Sequence, residues 1–411
     1  MPRAPGRARI ALADSVLAFP DFRWLWTSQT ISTVGDQVFP IAATVTVLNA
    51  GGSASDLGVV LGARWLAIVL FALVGGVWAD RLPRRLVMMG ADLFRAVAVG
   101  SLAFLPGTPP VALLAMLVFV VGAGEAFFRP AETALLPSLL PEPRLQAANG
   151  LISVSYRTAA VIGPGLGGVI VIALGQPRGA FAVNALTFLI SFLCLLRVHE
   201  PPRVDQPPTE PFLRELRQGL GEVRSQPWLW GTLIAAALLL MTVIAPENVL
   251  LPVIARREFG TDAVYAGSLA AFSLGGVAGA FLAIRWRPQH PGQVAWLLGL
   301  SFGLIPLTLM FAVSPWPIIA AYLVTGACWE PFAVWWTSAL QREVPPDRLA
   351  RVSSVDWMAV FALMPLGLVL TGPVVAAVGE TAVLVGIIVC LVVITACVLQ
   401  VPGARDFRPR G

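Results

Sequence analysis

The sequence predicts an all-α integral membrane protein: twelve transmembrane helices in two pseudo-symmetric six-helix bundles. Three observations carry that prediction. The 411 residues are 57% hydrophobic and only 12% charged, against about 25% charged in an ordinary soluble domain. Apolar runs of membrane-spanning length recur along the whole chain, separated by short connections containing Arg or Pro. The charges are also sorted by side in the way that orients such runs in a bilayer.

In chain order the expected spans are 22–48, 57–79, 86–105, 111–137, 150–174 and 180–196, then 228–254, 264–284, 292–313, 316–339, 352–378 and 380–401. Residues 1–21 read as a basic cytoplasmic segment. They lack a short apolar core with a small-residue cleavage site, so the first span is expected to stay in the mature chain. All 28 basic residues are Arg. With both termini inside, Arg178, Arg256 and Arg257 fall outside, and Arg64, Arg95, Arg129 and Arg157 fall within spans. The other arginines face the cytoplasm, which implies an even number of spans in the cell membrane. Topology thus accounts for the net charge of +5, and no nucleic-acid partner is expected.

Residues 197–227 divide the chain into bundles 22–196 and 228–401, with a cytoplasmic tail at 402–411. The first part of this linker is Pro-rich and extended. Its second part sets Phe212, Leu213, Leu216, Leu220 and Val223 opposite Arg214, Arg217 and Arg224, the pattern of a surface-lying amphipathic helix. The four cysteines, Cys194, Cys328, Cys390 and Cys397, all sit in apolar spans without metal-ligand spacing. His199 and His290 lie in loops. No nucleophile–His–acid arrangement follows, so an enzyme is not expected, and neither is a metal or cofactor.

The halves resemble each other faintly. Asp36-Gln37-Val38 in the first span aligns with Glu247-Asn248-Val249 in the seventh. Glu125 in the fourth span aligns with Glu330 in the tenth, as Pro141 does with Pro346. Together these matches favour parallel six-helix repeats, an architecture that places a binding site near the midplane.

Three stretches carry more specific information. TVGDQVFPIA, residues 33–42, puts an acid at mid-span, where insertion costs about 2.5 to 3.5 kcal/mol. GGVWADRLPRRL, 75–86, places Gly76, Asp80, Arg81, Arg84 and Arg85 in a charged turn suited to latching a helix end. AAVIGPGLGG, 159–168, gives a Pro-disturbed helix with Gly163, Pro164, Gly167 and Gly168 forming a flat packing face.

The second stretch resembles the loop signature of the major facilitator superfamily, departing from it at Pro83, where Gly is usual. The third resembles the GxxxGPxxGG antiporter motif, with Ala159 in the first Gly position. More specifically, FRWLWTSQTISTVGDQVFPIA, ADLFRA, FFRPAETALLPSLLPEPRLQAANGL, GPGLGG and VNALTFLIS are similar to the third drug–proton antiporter family, the enterobactin-exporter and macrolide-efflux branch. That resemblance covers nearly the whole chain. It implies efflux of amphiphilic small molecules by proton antiport through alternating access, by a monomer whose partners are substrate, protons and the bilayer.

Two readings then stand for each embedded charge. A carboxyl that is wet in one state and dehydrated in another takes up and releases a proton. On this reading Asp36, Glu125, Glu330 and Glu247 are coupling or substrate residues. Gln37, Asn248, Phe127, Trp329 and Phe332 then line the cavity, where an acid beside aromatic rings holds an organic cation. On the structural reading, Asp92 pairs with Arg95, Arg129 with Glu132, and Arg157 with Glu125 or Asp36, while Trp335 and Trp336 are interface anchors. Two rival functions share the fold: a lysophospholipid flippase or uptake carrier, and a transport-dead sensor or scaffold.

Overall fold

A computed structural model describes residues 16–105, 107, 109–174, 176–201, 220–286 and 288–408, and among them the chain is helical without strands. In hydrocarbon the backbone has no hydrogen-bonding partner but itself, and helices are the solution open to a chain this apolar. The first half comprises α1 (Pro20–Asn49), α2 (Ala54–Arg81), α3 (Arg84–Phe104), α4 (Val111–Leu139), α5 (Glu142–Leu174) and α6 (Arg178–Leu195). α7 (Pro227–Leu239) then runs through a π turn, Leu240–Ile244, into α8 (Ala245–Phe259). α9 (Ala263–Arg285) follows. α10 (Pro291–Gly299) and α11 (Leu304–Met310) are joined by a 3-10 turn, Leu300–Gly303. α12 (Pro315–Glu343), α13 (Pro346–Phe361), α14 (Met364–Val378) and α15 (Glu380–Val398) complete the order.

Among the described residues, eleven of these stretches are long and apolar enough to cross a membrane. α5, with 33 residues, spans about 50 Å at 1.5 Å per residue and makes the twelfth. Large apolar side chains such as Phe94, Phe104, Val313 and Trp316 are exposed, as a lipid-bathed surface requires. The protein is a multi-pass membrane protein.

The charged turn is shorter than the sequence suggests. α2 stays helical through Arg81 and α3 begins at Arg84, so only Leu82 and Pro83 connect them. Pro83 carries no N–H and ends the run of backbone hydrogen bonds. Most of the expected linker helix, 202–219, lies outside the described residues; from Leu220 to Ser225 the chain is helical.

The chain divides into two compact units, 1–46 with 66–206 and 47–65 with 207–411. They differ from the expected boundaries chiefly in that residues 47–65 belong with the second unit. Glycine is the reason: a Cβ on Gly58 would lie 2.2 Å from the Leu368 carbonyl oxygen, and one on Gly372 2.3 Å from Ser55 Cα. Without side chains the backbones touch, and the rings of Trp65 and Phe361 stack nearby at 4.9 Å. Elsewhere in the second unit α9 meets α12 in the same way. A Cβ on Gly275 or Gly326 would come within 2.0 Å of a carbonyl oxygen on the other helix.

The expected cytoplasmic tail is a docked element as far as Arg408. Gly403, at a φ of +84° that favours glycine, turns the chain back onto the second unit. The Gln293 N–H donates to the Arg405 carbonyl at 2.8 Å, and His290 Nδ1 lies 2.6 Å from Asp406. Phe407 is fully buried, its ring 5.7 Å from Phe332 and 5.3 Å from Trp336. Removing this ring leaves a cavity, and a buried Phe→Ala change costs about 3–5 kcal/mol. Phe407→Ala is therefore expected to lower the melting temperature of the purified protein in detergent. Phe104→Ala, at an exposed ring, is expected to leave it unchanged.

Candidate functional site

In the first unit the chain buries a guanidinium. Arg95 of α3 is 1% exposed, and its two terminal nitrogens donate in two directions: to Asp92 at 2.6 Å and to Asp36 of α1 at 3.4 Å. Asp92 is fully buried and also accepts from Ser191 of α6 at 2.5 Å, and Ser191 meets Ser28 of α1 at 2.8 Å. The rings of Phe128 and Phe188 lie 4.6 and 4.3 Å from the guanidinium carbon, close enough for cation–π attraction. Gly124 of α4 leaves the passage: a Cβ there would lie 2.6 Å from Arg95 Cγ. Asp36, with 20% of its side chain exposed, is the carboxylate at the accessible edge of this cluster.

A second cluster lies on α4. Arg129 reaches back one turn to Glu125 at 3.0 Å and donates to Tyr156 of α5, whereas Glu132 accepts from Gln29 of α1. Arg129 and Glu132 also attract one another electrostatically, as their spacing leads one to expect. Both spacings suit a helix face, and other helices supply Tyr156 and Gln29 as further partners. Phe127, expected beside a substrate, lines an apolar cavity of about 500 Å³ with Phe71, Trp78, Phe94 and Phe119. Ala91 and Gly124 form another part of its wall, so the cavity and the Arg95 passage share Gly124.

The motif residues pack rather than reach outward. A Cβ on Gly163 would lie 2.3 Å from Gln37 Cβ, and one on Gly167 3.2 Å from Val38 Cα. The Gly face of α5 therefore rests on α1 beside Asp36, with the stem of the half-buried Gln37 forming part of the contact. Gly168 is buried alongside. The backbone N–H groups of Arg84 and Arg85 both donate to Glu200 at 3.0 Å, an acid cap on the N-terminus of α3. Their guanidiniums hold the carbonyls of Ala134 and Leu196, within the same unit, while Arg81 is exposed. The surroundings of Gly76, Asp80, Arg157 and Pro164 lie outside the described residues.

In the second unit Glu247 is buried just past the π turn, and Asn248 beside it is half-buried. Glu330 faces α9, its Oε2 3.8 Å from where a Gly276 Cβ would stand. Trp329 stacks on Phe332 at 5.0 Å, but Phe332 is itself buried against Trp296, Trp336 and Phe407. Phe332 is thus a core ring rather than a cavity wall. Trp335 and Trp336 are buried too, instead of anchoring at an interface. Trp336 donates to Asp356 of α13 at 3.0 Å. Sequence reading passed over that acid, although the aromatic neighbours in VDWMAVF were the available signal.

Residues 25–368 match the Major Facilitator Superfamily. The chain belongs to this family. Among curated relatives, the multidrug efflux pump Tap of Mycolicibacterium fortuitum is 28% identical, over 90% of this chain and 93% of its own length. Macrolide efflux protein A of Streptococcus pyogenes is 25% identical, over 85% and 88%. Solved structures of the same fold include a bacterial homolog of the human lysosomal transporter Spinster, inward-facing and unoccupied. It has a TM-score of 0.69 at 18% identity, covering 96% of each chain. The nucleoside transporter NupG superposes with a TM-score of 0.66 at 12% identity, over 92% and 98%. This membership and the efflux pumps among the relatives point to a transporter.

Arg95→Ala leaves Asp92 buried without its cation, a loss of about 3–5 kcal/mol. Asp36→Asn keeps the closer pair. The first variant is expected to melt well below wild type in detergent and the second near it; equal shifts would mean that Asp36 and Asp92 support Arg95 alike.

Proposed function

We propose that the protein is a secondary transporter of the cell membrane that exports amphiphilic small molecules by proton antiport, alternating access between the two sides. The observation that carries this reading is the unequal sharing of Arg95, buried between a sealed Asp92 and a partly accessible Asp36. A proton or an organic cation arriving at Asp36 cancels the charge that holds the longer ion pair. Arg95 then falls back on Asp92, and the link between α1 and α3 is released. Because Gly163 and Gly167 of α5 rest on Gln37 and Val38, a shift of α1 at Asp36 is felt by α5 directly. The apolar cavity bounded by Phe71, Trp78, Phe119 and Phe127 suits the apolar body of an amphiphile.

Export is preferred over uptake or lipid flipping because the similar curated proteins are efflux pumps by name. A transport-dead sensor would have no use for an accessible acid at mid-membrane, which is costly to retain. The arginine distribution supports a cytoplasmic location for both termini.

The test is proton-coupled movement of cationic dyes and macrolides in inside-out vesicles under imposed pH gradients. Wild type is expected to accumulate substrate and dissipate the gradient, and Asp36→Asn only to exchange substrate downhill. Undiminished pumping by Asp36→Asn would remove Asp36 from the coupling step. Failure of wild type to move any of these compounds would turn the choice toward lipid substrates.

A further inference from the structure

Among the described residues, Glu247 stands apart from the other embedded acids. It is 3% exposed, and its Oε1 has no hydrogen-bond partner. The π turn, α9, α11 and α14 pack around α8. Their titratable groups are Tyr265 and Arg285 of α9, and Arg285 lies twenty residues from Tyr265, about 30 Å along the helix. Tyr322 of α12 is within electrostatic reach; Glu330, eight residues further on, is about 12 Å along the axis. On α8 itself, Arg256 is committed to Asp262 and Asn49, and Arg257 to Glu258 and Glu380. The nearest partners on offer are therefore phenols rather than cations. A carboxylate in that setting has lost its water without gaining a counter-charge; a neutral carboxyl avoids the penalty.

The local backbone suggests how such a group could exchange its proton. The π turn Leu240–Ile244 closes its hydrogen bonds over one residue more than an α-helix does and re-aims everything after it, a feature frequent at functional sites. Pro246, directly before Glu247, brings no N–H to the ladder. The Met241 carbonyl oxygen would lie 2.3 Å from a Cβ on Gly367, so α14 offers the turn a smooth surface to move on.

We propose that Glu247 is a second proton-binding site, located in the second unit, that holds its proton as a neutral carboxyl until the π turn rearranges and admits water. On release the O–H bond breaks and the proton passes to that water; water from the opposite side restores it. The use of this proton in antiport rests on the proposed function, whereas the site itself does not.

Carbodiimide labelling of the wild-type protein in lipid vesicles tests the site, because a hydrophobic carbodiimide adds to protonated carboxyls in apolar surroundings. Peptide mapping is expected to find the adduct on Glu247, falling as pH rises, with Asp92 unlabelled because Arg95 meets its charge. Infrared difference spectra between acidic and alkaline buffer should show a protonated-carboxyl band that is lost in Glu247→Gln. A wild type without an adduct on Glu247 at any pH, or a band unchanged in Glu247→Gln, overturns the proposal. Neither measurement needs a transported substrate, so a failed efflux assay leaves them intact.

Discussion

A guanidinium cannot shed its charge, so Arg95 commits everything around it. Its place inside a membrane-spanning unit is tenable only with counter-charge, hydrogen-bond acceptors and ring faces in position before lipid is met. Those demands fall on four helices at once: Asp36 on α1, Asp92 on α3 itself, Gly124 and Phe128 on α4, and Phe188 and Ser191 on α6. The pairing does more than neutralise. It ties the first unit to one arrangement of its helices, and it does so through a bond to Asp36 that is longer and more accessible than the bond to Asp92.

The two units do not share a charge plan. Asp36 and Glu247 align in the faint sequence likeness of the halves, yet one sits at the edge of an arginine and the other among phenols. Glu125 is bound by Arg129 one turn away, while its counterpart Glu330 faces a glycine of α9. Helix repeats are preserved by packing, which asks only for small residues at crossings and apolar residues toward lipid. Charge placement is under no such constraint, and the halves are free to divide different tasks. The proposed antiporter uses this freedom, with an ion-paired acid in one unit and a neutral one in the other.

Glycine carries much of the remaining architecture. Gly163 and Gly167 seat α5 on α1, Gly275 and Gly326 let α9 and α12 touch, and Gly58 and Gly372 bring residues 47–65 against α14. In lipid there is no hydrophobic gain from helix association, so close van der Waals contact and backbone approach take its place. Sealed aromatic packing does the same at the tail, where Phe407 closes the group formed by Trp296, Phe332 and Trp336.

The sequence by itself determined that the chain is all-helical, where its spans run and which family its motifs resemble. Those properties are readable because hydropathy, bilayer thickness and local motifs are one-dimensional. It also pointed to Asp36, and to Asp92 with Arg95 three residues on. Only the tertiary structure decided partners. Arg95 found Asp36 across 59 positions, Arg129 gained Tyr156 of another helix, Phe332 went into a core, and Phe407 drew the tail onto the second unit. The π turn before Glu247 was likewise invisible in the sequence. A buried charge or ring pairs with whatever the packing brings within a few ångströms, and spacing along the chain limits that choice only within a single helix.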